Sequence, residues 1–513
     1  MQSQHYAAIA LAFAVACSDS SAEPGGGNPG SGGGDVVGAG NSGGSSDGGS
    51  AAGGSSAGGS VSFEADYPMP PGVGSGVAVF VSPDGDDESD GLSLASAKLT
   101  IGAAFDVAEP GSIISARGGS YGGFVVQDGN FGSETQWILL RPYEEEEVTI
   151  RGTDDGPTVY FYASSCDEEN QLVNGDCTRA YVRLEGLHIQ GSPVGGGDGN
   201  VIKIDTPEVQ IIKNELCCSN ADIIKNVRTA DDTKIVGNEI WQDAAVLTPS
   251  GNAQGIDITG ADRLLVAGNY LHDLTDVAMY AKGNARETIF ESNLIVDSGF
   301  AGEGNAIMCG QSTDAERLVD GDYETYDCLV RNNIIEHVAG ACVAVGSSSG
   351  ARVVHNTCVD TASVIHAALF LTNESEINQA STDVQFRGNI VSQADSARMF
   401  TDSDEVGMTD WSTLVVSDNL YFDSTGAARF SLKNSAIADG GSHDEWLAAF
   451  SAATGNTDGS MVADPGFADE SSFELGAASP ALDAVDCFAP ADRAGTARPQ
   501  GPKCDIGAWE MPR

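Results

Sequence analysis

The chain is poor in positive charge. Lys and Arg together number 25 against 74 Asp and Glu, and neither occurs before Lys98. A formal net charge of −49 repels nucleic acid and anionic membrane surfaces, and no basic run offsets it, so nucleic acid is excluded as a partner. Aromatic residues make up only 7% of the chain. The apolar run from Ala7 to Ala16 holds ten residues, too few to span a bilayer. His is scarce at 7, and the cysteines show no CxxC spacing, which argues against their holding a metal.

What is abundant is Gly, at 65 residues, the sign of many tight turns. Ala7 to Ala16 followed by Cys17 reads as an export segment with a small-residue cleavage site. The stretch Ala14-Val15-Ala16-Cys17 also resembles a bacterial lipoprotein signal, which implies lipidation of Cys17; plain secretion is the alternative. Membrane contact is expected only through such an anchor. Gly-, Ser- and Asn-rich sequence then runs on as a linker over 18–76, unable to bury a core. A folded body is expected over 77–435, with further coils and a cap over 436–513, and the protein as an exported monomer. Ten cysteines follow Cys17, an even number that suits disulfides in an exported chain. Cys166 with Cys177, Cys309 with Cys328, and Cys487 with Cys504 each flank a short polar segment, so these are the expected bridges; buried free thiols are the alternative.

The strongest signal is a repeat in which an apolar strand leads into hydrophobic-x-x-Asn-hydrophobic. Its asparagines are Asn214, Asn238, Asn269, Asn293, Asn333, Asn356, Asn389 and Asn419. They are spaced 24, 31, 24, 40, 23, 33 and 30 residues apart, a base coil of 23 or 24 with insertions. Val and Ile with alternating polar residues make the segments strands, and the leucine-rich pattern is absent. The expected fold is all-β: a single-stranded right-handed parallel β-helix with a capping helix at its N-terminus and a cap at its C-terminus. Stacked coils would align the asparagines in one column, each in αL geometry at a turn and bonded along the stack.

The opening, Val79-Phe80-Val81 with the acidic loop Asp84 to Asp90, an apolar-faced helix over Leu99 to Ala108, and Arg117-Gly118-Gly119-Ser120-Tyr121, resembles that of bacterial pectin-lyase-like β-helix proteins. The closing run, Asp464-Pro465-Gly466-Phe467 through Asp505-Ile506-Gly507-Ala508-Trp509-Glu510, is similar to that of surface proteins with choice-of-anchor domains. Between the repeat and this run, Ser442 and Glu445 frame a capping box, so a short helix is expected from there to Ala452.

Such β-helices bind extended glycans along one outward strand face, so the resemblance implies a polysaccharide partner. Alternation places Asp257, Thr259, Tyr280 and Lys282 outward between inward Ile256, Ile258, Met279 and Ala281. Asp257, Thr259 and Tyr280 are the expected substrate contacts, and the insertion from Gln311 to Asp327 is expected beside them. Lys282 resembles the base of chondroitinase-B-like and other β-helix uronate lyases, which implies proton removal from C5 of a uronic acid. His272, on the neighbouring turn, is the second expected catalytic group. Asp257 with Asp276 are the expected Ca²⁺ ligands, and the acidic loop from Asp84 a second, structural Ca²⁺ site. Two readings remain: a lyase acting by β-elimination, or a non-catalytic, surface-anchored glycan-binding lipoprotein.

Overall fold

A computed structural model describes residues 67–512 apart from 154, 167–176, 193–198, 243–252, 301–303, 311–312, 314–317, 373–378, 395–397, 403–409, 433–440 and 457–458. The export segment and Cys17 lie outside the described residues. Within them the chain winds as a parallel β-helix of three long sheets, with a fourth of three short strands, Ala285–Arg286, Thr325–Tyr326 and Ser348–Ser349. Sheet A holds 12 strands, from Ala78–Val81 to Val415–Ser417, and sheet B 12, from Gly119–Gly122 to Met461–Val462. Sheet C holds 11, from Phe124–Gln127 to Arg429–Leu432. One coil contributes a strand to each in the order C, A, B, as in Ile224–Asn226, Lys234–Val236 and Glu239–Trp241. No strand can bury its apolar face alone, so the core forms by stacking. In sheet A, Ile211, Ile235, Val266, Phe290, Val330, Val353, Phe386 and Val416 are in register one above another, and all are buried.

The asparagines share the expected column, at the turn between sheets A and B. Each side chain donates to the next asparagine's Oδ1, from Asn214 at 3.2 Å through to Asn389 on Asn419 at 3.0 Å. One detail differs from expectation. The αL residue is the one before each asparagine: Lys213, Gly237, Gly268, Ser292, Asn332, His355, Gly388 and Asp418 all have positive φ. The turn places the left-handed residue one position early, and the asparagine amide bonds along the stack.

A helix packs against the terminal strands at each end of the stack. Helix α1 (Ile101–Val107), capped by the Thr100 side chain, buries Ile101, Ala104 and Phe105, and Phe105 stacks on Phe124 at 5.7 Å. Helix α2 (His443–Thr454) carries the expected Ser442–Glu445 capping box and ends at Gly455 in αL geometry. Its Trp446 and Phe450 are fully buried, and Trp446 meets Phe400 at 5.5 Å and Phe430 at 5.8 Å. The closing run is not the end cap it was expected to be. It folds back along the side of the solenoid, where the Gly507 N–H donates to Gly388 O (2.8 Å), Ala508 N–H to Thr357 Oγ1 (3.0 Å) and Phe488 N–H to His355 Nε2 (3.1 Å).

The three expected disulfides form, and two more join Cys217 to Cys218 and Cys342 to Cys358, so no cysteine after Cys17 is a free thiol.

Candidate functional site

Sheet C stacks Tyr160, Lys203, Lys225, Asp257 and Tyr280 in one outward column across five successive coils. Thr259 and Lys282 stand beside it, paired in register two positions further along their strands. The four residues expected to face outward therefore converge on two adjacent strands. Ile256, Ile258, Met279 and Ala281 turn inward into the main core, as the alternation requires.

Asp257 organises this strip. Fully buried, it takes an ion pair from Lys225, a hydrogen bond from Thr259 Oγ1 at 2.7 Å and another from Tyr280. Burial alone would push its carboxyl up, but the nearby ammonium groups of Lys225 and Lys282, with the hydrogen bonds, outweigh it and hold the group below the usual range. Lys225 has a second carboxylate, Asp222, at 3.5 Å. Burial pushes Asp222 up, the Lys225 charge opposes that, and the Asp257 charge adds to it. One ammonium thus lies between a carboxylate held ionised and another driven toward its neutral form. On the next coil Lys203 lies 3.9 Å from Asp205, which accepts a 2.5 Å hydrogen bond from the Tyr160 hydroxyl.

Lys282 differs from these lysines. Among the described residues it forms no ion pair within 4.0 Å, and its ammonium lies 4.8 Å from the centre of the Tyr280 ring. Its strand end is held from the insertion, as expected. The buried Glu324 accepts from Gly283 N–H at 2.8 Å and from Thr313 Oγ1 at 2.6 Å, and the Cys309–Cys328 bridge closes the same loop. Arg228 donates to Gly283 O at 2.9 Å from the other side.

Two expected members are elsewhere. His272 does not join Lys282: it lies on sheet B, 4.5 Å from the Tyr270 ring centre, bonded to Asp273 at 2.8 Å and Glu239 at 3.2 Å. Position on the turn misled here, because the chain changes sheets between residues 272 and 279. Asp276 sits in that turn, with Gln254 Nε2 donating to it at 3.4 Å, and burial pushes its carboxyl up to about 6.

The pair Asp257 and Asp276 does not fit a Ca²⁺ site. Calcium takes six to eight oxygen ligands, whereas Asp257 is already satisfied by an ammonium and two hydroxyls. No group of three or more His, Cys, Asp or Glu among the described residues is placed to hold a metal ion. In the acidic loop, Asp87 accepts from the Leu99 and Thr100 N–H groups and Asp90 from Leu92 N–H and Ser96 Oγ, so these acids cap turns.

Lys203, Lys225 and Asp222 were not singled out from the sequence. The signal was present: Lys203, Lys225, Asp257 and Tyr280 each precede a ladder asparagine by 11 to 13 residues. Counting back from the ladder finds the outward column.

No family model matches the chain, and no curated protein matches it. Among solved structures, the pectate lyase Pel9A aligns over 85% of this chain and 96% of its own, with a TM-score of 0.51 and 14% identity. XylC, solved with xylose, covers 85% of this chain and 98% of its own at TM-score 0.49 and 12% identity. An alginate lyase from Paenibacillus sp. str. FPU-7 covers 62% and 95% at TM-score 0.40 and 15% identity. At such identities the likeness to Pel9A establishes the fold, a parallel β-helix.

Proposed function

We propose that the chain is an exported, carbohydrate-active β-helix protein that binds an acidic glycan along the outward face of sheet C and cleaves it by β-elimination. One observation carries this reading. In a chain of net charge −49 with only eight lysines, three of them, Lys203, Lys225 and Lys282, face one strip on four consecutive strands. A strip of scarce cations in an anionic body is where an anionic polymer is attracted rather than repelled. The names of the similar solved structures, a pectate lyase and an alginate lyase among them, agree with that substrate class.

Lys282 is the group available as base, since Lys203 and Lys225 each have a carboxylate at hand. Its amine takes the proton from C5 of a uronate. That electron pair forms the C4–C5 double bond, the C4–O4 bond breaks, and the departing oxygen takes a proton from water. Lys225, fixed by Asp257, and Lys203 face the substrate carboxylate and offset the charge that builds on it as C5 loses its proton. No step is assigned to Ca²⁺.

The test is incubation of the full chain with alginate, pectate and glycosaminoglycans, read by the absorbance of unsaturated uronate. Product that disappears in Lys282→Ala, with glycan binding retained, supports the lyase. One observation favours the second reading, a surface-anchored glycan-binding protein: Asp257 is fully buried and spent on Lys225, so it is not free to assist Lys282 in catalysis. Binding without product from any polyanion, unchanged in Lys282→Ala, selects that reading.

A further inference from the structure

The outward face of sheet B has the opposite character to that of sheet C. Its lower half is covered: Phe467, Phe473 and Trp509 of the closing run pack on Leu294, Ile334 and Val359. In register with Leu294, one coil up, is Tyr270, and there the covering ends. Beyond it lies an aromatic group no other segment of the described chain covers as a cluster. Tyr270 and His272 have ring centres 4.5 Å apart, and Trp241, on the adjacent strand, lies 5.8 Å from His272 with its plane tilted by only 6°. Carboxylates rim the rings. Glu239 and Asp273 hold the two nitrogens of His272 and remain 44% and 66% exposed, so each keeps oxygens open to solvent. The Cys217–Cys218 bridge follows Trp241 in register on the next coil and fixes that edge.

We propose that this half of sheet B is a second glycan-binding surface, specific for uncharged sugars. The chemistry selects the ligand. The three rings stack on one another, and the group presents its remaining apolar surface to the C–H side of a pyranose. Carboxylates accept from sugar hydroxyls, and the same carboxylates repel a uronate. The face is continuous with one that this chain already uses to bind aromatic and apolar side chains. The surface is separate from the lysine strip, because sheets B and C point away from the coil axis in different directions.

The experiment uses the full chain with neutral xylo-, gluco- and manno-oligosaccharides, by isothermal titration calorimetry and affinity electrophoresis. At least one is expected to bind, with affinity falling roughly tenfold in Trp241→Ala. Glu239→Gln, which keeps size and shape, is expected to weaken binding as well, and Lys282→Ala to leave it unchanged. Three outcomes overturn the proposal. They are failure of every neutral oligosaccharide to bind, affinity that survives both sheet B substitutions, and concentration-dependent self-association abolished by Trp241→Ala, which would assign the face to a second copy of the chain.

Discussion

The ladder of asparagines is the most direct place to test the fold, and Asn269→Ala is the sharpest single perturbation. Asn269 Oδ1 accepts from the Asn238 N–H and from Asn238 Nδ2, both at 2.9 Å, while its own amide donates to Asn293 Oδ1 at 3.0 Å and Ile235 O at 2.9 Å. Alanine leaves two buried donors on Asn238 short of an acceptor, at about 1–3 kcal/mol each. Asn238 Nδ2 retains Ile211 O, so the sum belongs in the lower half of that range, roughly 2–4 kcal/mol. In a solenoid each coil touches only its neighbours, so the loss is local. Hydrogen exchange read by mass spectrometry should show protection falling in peptides spanning 235–240 and 265–295, with strands before 160 and after 380 unchanged. Asn130→Ala, which removes only an exposed bond to Asp106, is the control and should shift stability by less than about 0.5 kcal/mol. An Asn269→Ala protein with unaltered exchange, or with protection lost evenly along the chain, would refute the stacked register itself.

Further outcomes are expected from other parts of the chain. Asp276 is held near 6 in the fold against an ordinary 3.8, so the folded state keeps its proton more firmly than the unfolded chain does. That contribution is complete below pH 3.8 and is lost as pH rises through about 6. Asp276→Asn should therefore raise the melting temperature at pH 8 and leave it unchanged at pH 3.5, as followed by circular dichroism. Ser292, in αL geometry before Asn293, costs what a glycine would not; Ser292→Gly should hold or raise the unfolding midpoint despite the entropy that glycine adds to the unfolded chain, whereas Ser292→Val should lower it. Trp446→Ala empties a fully buried site at the open end and should cost about 3–5 kcal/mol, with new aggregation detectable by light scattering. Cys17→Ser should move the protein from the membrane fraction to the soluble fraction of cells if Cys17 carries lipid.

The ladder, both helices and three of the bridges were legible because each is written in a local pattern: a fixed asparagine, an apolar stripe or capping box, cysteines flanking one short loop. What was not legible depends on how coils stack across insertions. Cys342 and Cys358 meet because a strand of sheet B turns inward opposite the entry to sheet C, a fact of the coil's cross-section and not of sequence distance. Lys203 and Lys225 join Lys282 by register, with the chain running through two further sheets between them. His272 went astray for the same reason: ten residues from Lys282 in sequence, it belongs to another face. The closing run carries its motif intact, yet nothing in that motif says that it docks sideways on Gly388 and Thr357.

The two outward faces suggest how one repeat serves opposite charge patterns. In the core the register favours apolar residues, since inward positions stack on neighbours about 4.8 Å away, with Asn226 between Ile204 and Ile258 a polar exception. Outward positions carry no such constraint, so a polar residue buried there has to be accounted for by its partners. Asp257 is fully buried on an outward position, which only Lys225, Thr259 and Tyr280 make tolerable. Apolar residues in place of the whole set would satisfy the fold at lower cost, whereas removing Asp257 alone strands Lys225. The retained arrangement fixes the Lys225 ammonium at the floor of the strip near Lys282, and Asp257→Asn separates the two accounts of it. If the ion pair serves stability alone, the substitution changes melting and leaves polyanion binding intact. If it positions Lys225 for an acidic glycan, binding weakens while the coil, still bonded through Thr259, keeps its register.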